Sequence, residues 1–196
     1  NYLHIAGGIA ISTCLGSRST SPRERIGGLE GRYLRDGDIL PLGPESKDYE
    51  PFDSIMPSTR HRDTLSLRFI PGFQFDQFSE TTRQNLISQV FSVTPRANRM
   101  GIALSGDPID TGIQALLSEA TCYGAIQIPP DGDPIVLLND RQTVGGYPKA
   151  GAVISGDCHR LVQSRPGQRV RFVGITPQEA DRVAWLEHHY LETKLS

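Results

Sequence analysis

Gly124-Ala-Ile-Gln-Ile-Pro-Pro-Asp-Gly-Asp-Pro-Ile-Val-Leu-Leu-Asn-Asp-Arg-Gln-Thr-Val-Gly-Gly-Tyr-Pro-Lys-Ala-Gly-Ala-Val-Ile-Ser155 is the stretch whose reading decides the fold. Ala125 to Ile128 and Ile135 to Leu138 are short apolar runs rich in Ile and Val. Between them lies Pro129-Pro130-Asp131-Gly132-Asp133-Pro134, where the prolines set φ and Gly132 supplies a positive φ. This is a hairpin of two antiparallel strands, and because both runs are nearly continuous in apolar residues, both are expected to be buried on both faces. Chemistry follows at once. Asn139-Asp140-Arg141-Gln142-Thr143 puts a carboxylate, a guanidinium, an amide and a hydroxyl where a buried strand emerges. Gly145-Gly146 then lets backbone approach a ligand closely, Tyr147 and Lys149 flank Pro148, and Val153-Ile154 restarts a strand.

Working outward, a chain of 196 residues buries a substantial core as one large or two small domains. A net charge of −2 with both signs scattered argues against a nucleic-acid or anionic-membrane surface, which needs clustered Lys and Arg. No apolar run approaches membrane-spanning length and no signal-peptide pattern opens the chain, so the default reading is a soluble cytoplasmic protein. Cys14, Cys122 and Cys158 lack Cys-x-x-Cys spacing and fit reduced structural thiols better than a disulfide framework or a zinc site. The first run is already strand-like, so the chain is expected to begin inside a larger gene product, with exposed apolar surface or an unpaired strand edge near its start.

Tyr2 to Ile5 and Gly8 to Ser12 are expected as short strands. The loop Leu15-Gly16-Ser17-Arg18-Ser19-Thr20-Ser21-Pro22 suits an anion held by hydroxyls, backbone amides and Arg18, and suits a solvated turn equally well. Residues 43–62, rich in Pro and charge, read as a linker. Leu65, Leu67 and Phe69 alternate with Ser66 and Arg68, the period of a half-buried strand. A helix is predicted from Ser79 to Val90 with Ser79 as N-cap. Extended segments follow at Phe91 to Val93, Ile102 to Leu104 and Arg169 to Val173, with a helical turn from Asp157 to Gln163. Thr176-Pro177-Gln178-Glu179 is a capping box that starts a helix running to about Leu191. Many short strands with two or three helices predict a mainly β barrel or sandwich with helical covers.

Several constellations fail on spacing. Cys158 and His159 are adjacent, so their side chains diverge and make a poor nucleophile and base pair. His188-His189 read as surface residues of the last helix, and neither Gly-x-Ser-x-Gly nor His-Glu-x-x-His occurs, so neither a serine hydrolase nor a metalloenzyme is expected.

Gly16-Ser17-Arg18-Ser19-Thr20, Gly28-Leu29-Glu30-Gly31-Arg32, Ile70-Pro71-Gly72, Asn98-Arg99-Met100-Gly101, residues 124–132 and above all Asp140-Arg141-Gln142-Thr143-Val144-Gly145-Gly146-Tyr147-Pro148-Lys149 resemble, in order, the biotin-dependent carboxyltransferase family. That family includes the C component of 5-oxoprolinase, KipA and the second component of allophanate hydrolase. The resemblance implies a cyclophilin-like β-barrel. It also implies a division into residues 1–62, the C-terminal part of a first carboxyltransferase subdomain lacking its N-terminal portion, and residues 63–196, a second, cyclophilin-like subdomain. The function it implies is a part in an ATP-dependent complex processing an amide, urea or lactam, as in 5-oxoprolinase or urea carboxylase, or else a KipA-type regulatory protein antagonising a KipI-like kinase inhibitor. ATP would act through the complex, carboxybiotin on a partner domain, and the partners would be a KipI-like protein and a LamB/YcsF-like protein. A small-molecule binding barrel without turnover is the third reading.

Such chemistry needs cations for an anion and paired donors and acceptors for a planar amide. Asp140, Arg141, Tyr147 and Lys149 are therefore expected in catalytic roles, and Arg18, Ser19, Thr20, Arg99, Gln127, Gln142 and Thr143 in substrate binding, without a metal; Arg18, Arg99, Gln127, Asp140, Arg141, Tyr147 and Lys149 are expected around one cavity at the barrel mouth. Each has a plain alternative: Asp140 and Arg141 pair at a strand end, Gln127 cross-links strands, and Tyr147 packs above the barrel.

Overall fold

The computed structural model describes residues 3, 5–44, 64–113 and 116–195. The chain forms two compact units, Asn1–Ile55 and Met56–Ser196. From residue 45 onward the expected linker, and with it the expected boundary at 62 and 63, falls outside the described residues.

In the second unit the strands are β1 (Thr64–Pro71), β2 (Phe91–Ala97), β3 (Gly101–Ser105), β4 (Glu119–Ala120), β5 (Ala125–Gln127), β6 (Ile135–Leu137), β7 (Val144–Gly145), β8 (Lys149–Val153) and β9 (Arg169–Gly174). The helices are α1 (Glu80–Ser88), α2 (Ser155–Leu161) and α3 (Pro177–Leu195), with a 3-10 turn at Phe75–Gln77. Seven strands close a barrel in the order β1-β8-β5-β6-β3-β2-β9, and β4 with β7 makes a separate two-stranded ribbon. The protein is thus mainly β with a few helices, as the strand spacing and the family resemblance predict.

The deciding hairpin forms as read. β5 and β6 pair antiparallel through Ile126↔Val136 and Gln127↔Ile135. Gly132 sits at φ 79°, its N–H bonded to Pro129 O at 2.9 Å. A Cβ there would lie 2.7 Å from the backbone nitrogen of Ile109, so both the turn and the close approach require glycine. Alternation in β1 turns Leu65, Leu67 and Phe69 inward. There Phe69 meets Phe172 edge to face at 5.9 Å, and Phe172 meets Phe91 at 5.5 Å. Such contacts contribute beyond simple area burial.

Two of the helices, α1 and α3, start where side chains replace the missing backbone acceptors, whereas α2 follows Ile154 without a side-chain cap. Ser79 Oγ accepts from Thr82 N–H at 3.1 Å ahead of α1. Ahead of α3, Thr176 Oγ1 accepts from Glu179 N–H at 3.2 Å while Glu179 Oε2 accepts from Thr176 N–H at 2.8 Å. α1 stops two residues before its predicted end because Gln89 is already extended into β2, and α3 continues past Leu191.

The first unit corrects one expectation. Within its described residues the segments at 5 and 8–12 form no strand, only an isolated bridge between Ile9 and Leu42. Its pairing with 41–43 is limited to Ala10 N–H on Pro41 O and Gly43 N–H on Gly8 O, and Gly7 and Gly8 at positive φ break the extended run. A strand needs a partner along its length, which β propensity alone does not provide. Leu3, Leu15 and Ile39 are exposed here.

Two ion pairs hold their respective units. In the second, the fully buried Asp157 of α2 accepts from Arg68 N–H, Nε and Nη2, each at 2.8 Å, and from Arg160 Nη1 at 3.2 Å, fastening α2 to β1. Replacing Asp157 by Ala leaves the Arg68 guanidinium facing an empty acceptor site. We expect a loss of about 3 kcal/mol in chemical denaturation, with Asp157→Asn costing less. In the first unit Arg32 and the N–H of Arg35 hold the Asp38 carboxyl at about 2. The folded value lies below the unfolded one, so the stabilisation is complete above about pH 4 and is lost as pH falls through about 2. Carboxyl-carbon NMR should give a midpoint near that lower value, and an ordinary carboxylate midpoint would show that the pair does not form.

Candidate functional site

Polar groups gather where β5 and β8 end. Gln127 and Lys149 are opposed across the antiparallel β5–β8 pair, so their side chains share a face. Gln127 is 1% exposed; its Oε1 accepts from Gln142 Nε2 at 3.2 Å. Its Nε2 has no hydrogen-bond partner among the described residues. Gly145 of β7 faces that nitrogen: a Cβ on residue 145 would lie 2.4 Å from it. The expected close approach at Gly145-Gly146 was to a ligand; what Gly145 meets here is the Gln127 side chain.

Lys149 Nζ is 2.7 Å from Glu119 Oε2 and donates to Ala120 O at 3.0 Å, both on β4. Its side chain is 15% exposed and that of Glu119 34%, so the pair is shielded from water more than a surface salt bridge. Gln74, 1% exposed and just ahead of the 3-10 turn, accepts from Lys149 N–H at 2.7 Å and donates to Glu119 Oε2 at 3.0 Å. The β4–β7 ribbon therefore lies against the ends of β5 and β8. It is held there also by Thr121, whose N–H reaches Thr143 O at 3.0 Å and whose hydroxyl donates to Gln142 O.

Asp140 pairs with Arg99 rather than with its sequence neighbour Arg141. Arg99 Nε and Nη2 reach the two carboxyl oxygens at 2.6 and 3.1 Å, and Asp140 N–H bonds Arg99 O at 2.9 Å. The fork lowers the Asp140 carboxyl and raises the Arg99 guanidinium, but with side chains 42% and 69% exposed it is a water-screened contact. Arg141 closes the turn Leu138–Arg141: its N–H and Nη1 both reach Leu138 O at 3.3 Å, and its buried Nε has no partner among the described residues.

Tyr147 is elsewhere. It lines a cleft of about 550 Å³ with Pro108, Ile109, Ile128, Pro129 and Gly146, close in the chain to Lys149 but outside the ion-pair cluster. Arg18, Ser19 and Thr20 belong to the first unit, where Arg18 Nε donates to Ile11 O at 3.2 Å and, with Ser19, edges a shallow groove beside Ile5, Gly8 and Ile9. Of the predicted residues, Gln127, Gln142 and Lys149 are brought together directly, with Thr143 tied in through its backbone. Sequence reasoning missed Gln74 and Glu119. A lone Gln between Phe73 and Phe75 and a lone Glu in a loop carry no local signal.

Cys158 is fully buried, its Sγ 3.7 Å from Val153 O, and burial, reinforced by Asp157 and Cys122, pushes its thiol up to about 12. His159 is exposed on the same helix. Among the described residues no group of three His, Cys, Asp or Glu is placed to hold a metal, and no helix is long and apolar enough to cross a membrane.

The carboxyltransferase domain, subdomain A and B, family matches residues 1–174. Over 193 residues the chain is 35% identical to the C component of 5-oxoprolinase from Escherichia coli K12, and over 196 residues 32% identical to that of Haemophilus influenzae. These alignments cover 98% and 97% of this chain but only 61% of each relative, so the chain spans about three fifths of their length. The crystal structure of Kluyveromyces lactis urea carboxylase matches 96% of this chain with 19% of its own, at a TM-score of 0.81 and 23% identity, a likeness of fold.

The thiol environments set an expectation. At pH 8 iodoacetamide should modify the exposed Cys122 and leave Cys158 intact until the protein is unfolded, as mass spectrometry of the peptides will read. Modification of Cys158 in the folded protein at a comparable rate would contradict its burial.

Proposed function

The chain belongs to the family of carboxyltransferase domains, subdomain A and B, and from that premise we propose that it is a component of a cytoplasmic, ATP-dependent, amide-processing complex of the 5-oxoprolinase type. Its reaction is the opening of the lactam 5-oxoproline to glutamate, its partners a KipI-like protein and a LamB/YcsF-like protein. The observation that carries the reading is the buried Gln127 amide, its N–H unpartnered, opposite the shielded Lys149 ammonium. Leaving a buried donor without an acceptor costs about 1–3 kcal/mol, which a purely structural site has every reason to avoid.

The chemistry follows from the donor set. Opening a lactam moves negative charge onto the carbonyl oxygen, and donors already fixed at that point stabilise it without reorganisation. Lys149 supplies charge, Gln127 a directed N–H, and the Gln142 amide holds Gln127 in the orientation that turns its nitrogen away from the Gln127–Gln142 bond. Arg141, with a buried free Nε, offers a third donor from the turn after β6. Tyr147 and the cleft beside it take the apolar part of a substrate.

Each of Lys149 and Arg99 stands beside a carboxylate, Glu119 and Asp140, which suits a single developing oxyanion better than the several charges of a triphosphate. ATP therefore acts on a partner protein in this reading. A single carboxylate or carbonyl oxygen does fit the Gln127 and Lys149 donors. That is the moiety a carboxybiotin on a partner domain would bring if the complex were of the urea carboxylase kind. Arg18, Ser19 and Thr20 are proposed as anion-binding groups within the first unit taken by itself.

Lys149→Met and Arg141→Met in the assembled complex should each lower ATP-dependent turnover of 5-oxoproline by about 2–4 kcal/mol in the barrier, the effect of removing one preorganised donor. Thermal unfolding should fall only modestly, since Met retains most of the stem volume in both cases and Glu119, left without Lys149, stays partly exposed and bonded by Gln74. Unchanged turnover in both variants would favour a regulatory binding protein of the KipA type. A collapse in unfolding temperature would make these residues structural.

A further inference from the structure

We propose that Gln74 is a positioning residue, whose buried carboxamide fixes the Glu119–Lys149 ion pair so that the ammonium of Lys149, the residue opposite Gln127, is presented to one acceptor oxygen of the substrate. The proposal deepens the functional reading above and rests on Lys149 acting on substrate.

Two hydrogen bonds and one ion pair carry it. Gln74 Oε1 accepts the backbone N–H of Lys149 at 2.7 Å, Gln74 Nε2 donates to Glu119 Oε2 at 3.0 Å, and that same oxygen lies 2.7 Å from Lys149 Nζ. The amide orientation is not arbitrary. Rotated by half a turn, it would set an NH2 group against an N–H and a carbonyl oxygen against a carboxylate. One side chain therefore reads both the main chain and, through Glu119, the side-chain terminus of the same lysine. The two ends of a flexible four-carbon stem are tied to one rigid, buried group.

The consequence is directional. Of the three ammonium donors one goes to Ala120 O at 3.0 Å, and Glu119 Oε2 balances the charge at 2.7 Å as an ion-pair contact. The Ala120 bond and the ion pair together hold the ammonium of this β8 residue against β4, and among the described residues no other acceptor takes its remaining protons. The opposite residue across β5–β8 is Gln127, whose Nε2 is likewise without an acceptor. Gln74 itself is anchored, since Gly72 N–H bonds Ala150 O at 3.0 Å and Phe75 N–H bonds Gly72 O at 2.9 Å. A lysine without that frame would sample several rotamers, and its free donor would point at the reacting oxygen only part of the time.

The test uses the assembled complex and 5-oxoproline turnover. Gln74→Met keeps the side-chain volume and removes both bonds. We expect kcat to fall about tenfold to a hundredfold, the scale of a small misplacement of a catalytic group, with KM held within about twofold. In a Lys149→Met background the same change should cost nothing further, because Gln74 acts only through Lys149. A structural role would lower kcat in both backgrounds alike, and that result overturns the proposal. Wild-type kcat in Gln74→Met, where Lys149→Met has lost activity, also overturns it while leaving the reading of Lys149 intact. If Gln74→Met does not fold, Glu119→Gln, a change at a partly exposed position, carries the same two-background comparison with the same expected and overturning results.

Discussion

Barrel closure rests on β9, which lies between β1 and β2 and pairs with both, parallel to the first from Thr64↔Arg169 to Phe69↔Gly174 and antiparallel to the second at Phe91↔Val170. Bringing β9 to β1 closes a loop of about a hundred residues, an entropic cost that grows only slowly with length but must be met before the contacts form. The return is the burial of Phe69, Phe91, Phe172, Leu67 and Val170 in a single core. Asp157, taking bonds from both the backbone and the guanidinium of Arg68, ties the helix that follows β8 to the strand that β9 must meet.

A closed barrel has no free edge, and that constrains where chemistry can sit. Strand interiors are committed to packing, so polar side chains emerge at strand ends, where a barrel is open and where its rigidity still reaches them. Gln127 and Lys149 are at such ends, and the small ribbon of β4 and β7 shields them from water. Shielding strengthens each electrostatic contact and raises the cost of an unpaired group. Asp140 and Arg99 make the contrast: their fork has better geometry than the Lys149 pair, yet it stands in water and is worth less.

The unsatisfied Gln127 amide and the fully satisfied Gln74 amide are two outcomes of the same desolvation cost. Both are buried to 1%, and both need partners to be tolerated. Gln74 finds Lys149 N–H and Glu119, while Gln127 finds a partner for its oxygen only. A group held in an unfavourable state by a well-packed surrounding is where a ligand gains most on binding, since the ligand supplies the missing bond to a donor that is already ordered.

Local order was legible in the chain. The alternation Leu65, Leu67, Phe69, the Pro-rich turn with Gly132 and the Thr176 to Glu179 capping box each depend on residues a few positions apart, so their period or spacing carries the information. The presence of Gln127, Gln142 and Lys149 in one polar cluster was also legible, because all three lie within the hairpin and its continuation. The partners were not. Asp140 turned to Arg99 instead of Arg141, the described residues up to Ser12 lacked a partner long enough to make them strands, and Gln74 and Glu119 came to Lys149 from elements that look ordinary alone. Propensity and pattern are properties of a chain segment, whereas an ion pair, a strand ladder and a buried amide's satisfaction are properties of two segments at once. The register that joins them, Gln127 against Lys149 and Glu119 against Gly145, exists only after the barrel and its ribbon have formed.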